Sequence, residues 1–312
     1  MGEKWSRVSS VTAGLAVLLV TALLSVGVVE PASSTTRRAT PPTATFTVSS
    51  FNVLGASHTP PGSSRASGTT RIVWAKQLLD QHHVQVAGFQ EMQAVQYTKF
   101  AQIAGSSWAL YPGLKMLKRD SENSIGWRTD TFDLVWASTV KIPYFNGSLR
   151  SMPVVLLREK STGMLAYFAN VHNPADTSTY PNQGAYRAEA TRMEIALQNL
   201  IAPTGIPRFL TGDMNERASY FCRVTKEAPL KAARPNSIWV NGVCSAGRPR
   251  AVDWILGSTE VPWSNYIEDR SALVAKTTDH PMIIGDATID TATFPSALTA
   301  TPPAPIVPGT TF

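Results

Sequence analysis

Five times along this chain an apolar, strand-like run stops and a polar side chain able to ligate a cation or contact an anion stands at its tip. The segments are Ser50-Phe51-Asn52-Val53, Phe89-Gln90-Glu91, Asn170-Val171-His172-Asn173, Thr211-Gly212-Asp213-Met214-Asn215 and Thr278-Asp279-His280-Pro281. Such tips can act together only where strands from across the chain end on one edge. The pattern therefore asks for a sheet-based fold.

The rest of the sequence supplies the alternation such a fold needs. Residues 46–54 (FTVSSFNVL) have β-branched and aromatic density and run into a loop rich in Ser, Gly and Pro. Residues 69–82 place Ile72, Val73, Lys76, Leu78 and Leu79 around an amphipathic helix that Thr69 or Thr70 can cap. Further helices are predicted at 94–104 and 184–200, and strands at 84–89, 124–127, 133–136, 153–157, 164–171, 207–211, 252–256 and 281–284. Strand and helix signals in alternation argue for an α/β fold.

The chain ends read differently. Glu3, Lys4 and Arg7 precede an uncharged stretch, 8–29, centred on Leu15-Ala16-Val17-Leu18-Leu19-Val20. Residues 1–34 thus read as an export signal, either cleaved after the small residues Ala32 and Ser34 or kept as an anchor across ~30 Å of hydrocarbon. Residues 35–44 read as a linker, 45–290 as one folded domain and 291–312, rich in Thr, Ala and Pro, as a loose tail. At 43% hydrophobic and 16% charged residues, the domain can bury a substantial core. An exported chain with only Cys222 and Cys244 most simply joins them in a disulfide worth about 3 kcal/mol. The net charge of +6 is concentrated in 217–250, where Arg217, Arg223, Lys226, Lys231, Arg234, Arg248 and Arg250 face one acid, Glu227. That span is either a solvated loop or a track for a phosphate-rich substrate.

The polar tips carry a specific chemistry. Asn170 and His172 are two apart, as are Asp213 and Asn215, so each pair projects to one side of an extended strand. Carboxylates at Glu91, Asp213 and Asp279, with few Cys and no clustered His, suit Mg²⁺, Mn²⁺ or Ca²⁺ rather than zinc. His280 is a candidate general base if the chain turns at Pro281, and Asp253, in the apolar frame Val252-Asp253-Trp254-Ile255, is its candidate partner. His82 and His83 read as a helix end, with His82 and His83 satisfying carbonyls and the dipole. Glu122 and Asn123 read as loop, and Trp254 and Trp263 as packing.

Together QE, NVHN, GDMN, VDWI and TDHP resemble, in order over 45–289, the endonuclease/exonuclease/phosphatase superfamily, which includes deoxyribonuclease I, sphingomyelinases and inositol polyphosphate 5-phosphatases. The resemblance implies a four-layer α/β sandwich of two mixed β-sheets flanked by helices. It implies Glu91 as main metal ligand with Asn52 and Asp279 near the same ion. Asp213 and Asn215 would hold the nucleophile and a phosphate oxygen, His172 and Asn170 would contact the phosphate, and Asp253 with His280 would activate water. Leu54 departs from abasic-site endonucleases, which carry an acid two residues after the first Asn, and so weakens that reading.

These readings converge on an exported, monomeric, divalent-metal-dependent phosphoric ester hydrolase. Phosphodiesters, DNA or RNA among them, are the expected substrates. A sphingomyelinase- or inositol-phosphatase-like hydrolase, working at a membrane if the N-terminal segment is kept, is the alternative. A non-catalytic binding module is the third reading, and the complete acid, amide and histidine set argues against it.

Overall fold

The computed structural model describes residues 42–114, 120–248 and 250–299. The export segment 1–34, most of the linker and the tail beyond 299 lie outside the described residues. Along the chain run β1 (Thr43–Asn52), α1 (Gly68–Gln81), β2 (Val86–Gln90), α2 (Ala94–Ala104), β3 (Trp108–Tyr111), β4 (Ser124–Arg128), β5 (Phe132–Pro143), β6 (Leu149–Glu159), β7 (Leu165–His172) and α3 (Gly184–Ile201). There follow β8 (Arg208–Asp213), α4 (Ala218–Glu227), β9 (Leu230–Ala232), β10 (Ser237–Val240), β11 (Val243–Ala246), β12 (Asp253–Ser258), β13 (Trp263–Asp269), α5 (Ala272–Thr277), β14 (Met282–Asp290) and α6 (Ser296–Thr299).

Two six-stranded sheets form, ordered β13-β14-β1-β2-β4-β3 and β5-β6-β7-β8-β12-β9. Only β1 with β2 and β7 with β8 pair parallel; the other pairs are antiparallel. Both sheets are therefore mixed, as expected. Phe46, Phe132, Phe168 and Phe209 interlock between them with ring centroids 4.9–6.0 Å apart. Each such side chain contributes roughly 1.5–3 kcal/mol by burial. The outer face of the first sheet is covered by α1 and α2 through Ile72, Leu78, Leu79 and Phe100. The outer face of the second is covered by α3 and α4 through Ile195, Leu197, Tyr220 and Phe221. Helix, sheet, sheet and helix make four layers.

Several local expectations shift. Helix α1 is capped by Ser67, whose Oγ accepts from the Thr70 N–H at 3.2 Å, so Thr69 and Thr70 lie inside the first turn. The His82 ring does not serve the helix end alone: its Nε2 lies 2.8 Å from Asp269 Oδ2 and ties α1 to β13. The basic span is not a loop but α4, β9 and the β10–β11 hairpin, with Cys222 of α4 bonded to Cys244 of β11. Strand β1 starts at Thr43, inside the expected linker, because Thr43 pairs with Asp290. Residues 291–299 are not loose: Phe294 and Ala297 are buried, and the Phe294 N–H donates to Asp290 O.

Helix α3 also buries a carboxyl group, Glu194, whose Oε2 accepts the Tyr220 hydroxyl at 2.8 Å. Burial pushes it up to about 7, against opposing hydrogen bonds from Tyr220 and Asn173. A carboxyl raised in the fold binds more protons folded than unfolded, so its contribution is full below the unfolded value and lost as pH rises toward 7. Relative to Glu194→Gln, wild-type stability in urea should therefore fall by up to about 3 kcal/mol between pH 4.5 and 8.

Candidate active site

Strand register assembles the site. His172 stands opposite Asp213 across β7 and β8, and Asp213 opposite Asp253 across β8 and β12. Opposed residues share a sheet face, so three side chains distant in sequence form one row. In the other sheet Asn52 stands opposite Gln90, and Glu91 follows at the tip of β2 with φ at 61°. A glutamate in this left-handed region is strained backbone, the kind that sites retain.

The two rows meet because the sheets are locked just behind them. Asn170 Oδ1 accepts from Gln90 Nε2 at 2.6 Å and from Thr211 Oγ1 at 3.1 Å, while Asn170 Nδ2 donates to Phe89 O and Ser124 O. Asn170 is fully buried and its amide is consumed, so it does not reach a phosphate as expected. It shares the face of His172 but sits two residues deeper, between the sheets. Gly88 permits this contact: a Cβ there would lie 2.0 Å from Thr211 Oγ1 and 2.5 Å from Asn170 Oδ1.

At the tips, Asn52 Nδ2 donates to Glu91 Oε1 at 3.0 Å and to Asp213 Oδ2 at 3.1 Å. Its Oδ1 accepts from the Leu54 N–H at 3.0 Å, so Asn52 is fixed in place and orients the two carboxylates. Glu91 Oε2 accepts from the Gly55 N–H at 2.8 Å and lies 3.3 Å from the exposed His58. Burial alone would raise the Glu91 carboxyl, but the His58 hydrogen bond, the nearby His172 and the Gly55 and Asn52 donors hold it well below the usual range. His280 Nδ1 bonds both oxygens of Asp253, at 3.0 and 3.1 Å, and its Nε2 lies 3.6 Å from Asp213 Oδ2. Burial opposes a charge on this ring, yet Asp253, Asp213 and Asp279 outweigh it and lift the imidazole up to about 10. His172 Nε2 lies 3.6 Å from the same Asp213 oxygen, and Asn215 is held by its Nδ2 bond to Asn173 O.

A cavity of about 610 Å³ opens on these groups, lined by Glu91, His172, Asp213, Asn215 and His280. Asn52 and Asp253 stand behind its wall. Asp279 is exposed and lines an adjoining cleft of about 190 Å³ with Arg250, Arg270 and His280, and its charge acts on both His58 and His280. Asp213, Asp253 and His280 bring ligand atoms within 4.8 Å of one another. The donor set fits a hard divalent cation: carboxylate oxygens dominate, and Arg150, the one Arg or Lys on the cavity wall among the described residues, is paired to Glu122 at 2.6 Å.

Sequence reasoning missed His58, Arg150, Tyr144 and Arg71, and left Glu122 as loop. Arg71 is fully buried and donates to Val53 O, Leu54 O, Gly55 O, Thr277 O and Thr59 Oγ1, joining the loop after β1 to the segment before Asp279. Its signal was legible, since it occupies the apolar stripe of α1 beside Ile72. The basic span, by contrast, does not line the cavity. Arg234 is buried on the Trp254 ring, Arg248 pairs with Glu268, and Arg223 with Glu227. Gly88→Ala should cost roughly 1–3 kcal/mol in urea unfolding by forcing the sheets apart, whereas Gly184→Ala, whose Cβ meets nothing nearer than 3.7 Å, leaves the sheet contact intact.

The endonuclease/exonuclease/phosphatase family model matches residues 49–280. Among solved structures, a family protein from Bacteroides thetaiotaomicron is 19% identical with a TM-score of 0.59, covering 80% of this chain and 99% of its own. The human Nocturnin catalytic domain with bound sulfate is 14% identical with a TM-score of 0.62, covering 80% and 98%. D. rerio TDP2 complexed with a single-strand DNA product is 15% identical with a TM-score of 0.55, covering 79% and 99%. No curated protein matches the sequence. The sheet topology, the row of strand-tip residues and this match over most of the chain agree: the chain belongs to the endonuclease/exonuclease/phosphatase family.

Proposed function

We propose that this protein is an exported, divalent-metal-dependent phosphodiesterase that works by histidine-activated water. One observation carries the reading: His280 is clamped through Nδ1 by Asp253 and presents Nε2 beside Asp213 in a cavity that Glu91 also lines. The clamp fixes the tautomer, leaving Nε2 to take a proton from water held against Asp213. The water oxygen attacks phosphorus in line, and the bond to the leaving oxygen breaks. His172 and Asn215 are placed to donate to phosphate oxygens as charge builds on them.

Glu91 and Asp213, with Asp279 nearby, would hold the cation, and Asn52 would keep the first two apart. When bound, the cation supplies positive charge that polarises the phosphoryl group and offsets the carboxylates that favour the imidazolium form of His280. The N-terminal apolar run and the Cys222–Cys244 disulfide support export. Of the basic span, Arg234 and Arg250 line the adjoining cleft that shares His280 while none lines the cavity itself, so a nucleic-acid substrate remains one form of this reading.

Hydrolysis of bis(p-nitrophenyl) phosphate, with Mg²⁺ or Mn²⁺ and with chelator, tests this. Turnover should require the ion and fall roughly 10²–10⁴-fold in His280→Ala and in Asp213→Ala. Full activity in either variant, or in excess chelator, would reject the assignment.

A further inference from the structure

A band of aromatic rings leaves the reaction centre that no catalytic role uses. His172 meets Tyr144 edge-on at 5.5 Å, Tyr144 meets Phe145 at 4.4 Å, and Phe145 stacks on Tyr180 at 4.5 Å with 11° between planes. All four line the cavity, and Tyr180 is the most exposed of them. Arg150 lies over the Tyr144 ring at 4.1 Å with its charge met by Glu122. The band joins the turn between β5 and β6 to the loop between β7 and α3.

That loop is ordered before any substrate arrives. Thr177 and Tyr180 close a turn on each other through N–H to O at 3.0 Å and N–H to Oγ1 at 2.9 Å. Asp176 accepts from Arg187 and from the Gln183 N–H, both at 2.6 Å, and Gln183 Oε1 accepts from the Asn146 N–H at 2.8 Å. The aromatic wall is thus a preformed surface fixed to both sheet-edge turns, and a rigid ring docks on it without ordering cost.

A polynucleotide needs cations spaced along its backbone, and among the described residues the cavity wall offers one arginine, Arg150, paired to Glu122. Stacking, in contrast, needs only flat apolar faces, and a cavity of about 610 Å³ is of small-ligand size. We propose that the site takes a compact phosphodiester in which the ester group beside His172 carries a single planar ring of nucleoside size, seated against Phe145 and Tyr180. This deepens the phosphodiesterase reading and rests on it.

The test compares KM and kcat for bis(p-nitrophenyl) phosphate in wild type, Phe145→Ala/Tyr180→Ala and Tyr180→Phe, each checked for an unchanged melting temperature, alongside nicking of plasmid DNA. The double alanine variant should raise KM about tenfold with kcat within about threefold, because stacking is lost while the reacting groups stay in place. Tyr180→Phe, which keeps the ring, should keep the wild-type KM. Plasmid should be cut with lower kcat/KM than the small diester. Unchanged KM in the double variant, or plasmid preferred over the small diester, overturns the inference while leaving the phosphodiesterase reading standing. A wild type that turns over no diester withdraws both.

Discussion

The close approach of the two sheets at Gly88 is the constraint on which the site depends. With no side chain at 88, Thr211 and Asn170 of one sheet touch β2 of the other, and the Asn170 amide makes hydrogen bonds with Gln90, Thr211, Phe89 O and Ser124 O. Both polar atoms of the Asn170 amide are satisfied only where these groups from the two sheets meet, which restricts the relative position of the sheets. That position sets Asn52 within hydrogen-bond reach of both Glu91 and Asp213. The aromatic layer of Phe46, Phe132, Phe168 and Phe209 supplies cohesion, and the amide network supplies register.

Charge at the site follows from that convergence. Carboxylates from different strands converge there, and the buried Arg71 guanidinium and the His58 ring act on them. Arg71 has no carboxylate bonded to it; it is satisfied by carbonyls and one hydroxyl, so its charge acts on Glu91 and Asp279 through space. The resulting cavity is acidic by construction and suited to a hard cation and a phosphate together.

Much of this was legible in the sequence because strand tips are local. The QE, NVHN, GDMN, VDWI and TDHP segments each mark the end or start of a buried strand, and their order implied both the fold and the pairing of Asp253 with His280. What escaped has a common cause. Whether a side chain reaches the cavity depends on its depth along a strand: Asn170 and His172 share a face, yet only His172 lines the cavity. The basic span was legible only in part because charge density does not reveal direction: Arg234 and Arg250 line the cleft beside His280, and the other charges turn elsewhere. Arg234 stacks on Trp254 and Arg248 is paired across to β13, contacts that no spacing encodes. The aromatic wall joins residues 144, 145 and 180, brought together only by the pinned loop between β7 and α3.

The central claim is that these strand tips form a cation site in which Glu91 is the principal ligand. Calorimetric titration of Mg²⁺ or Mn²⁺ into wild-type protein and into Glu91→Gln measures this without reference to turnover. The account predicts one binding event in the wild type, weakened at least about tenfold in Glu91→Gln with its fold intact. Equal affinity in the two proteins, or no binding in the wild type, would contradict it.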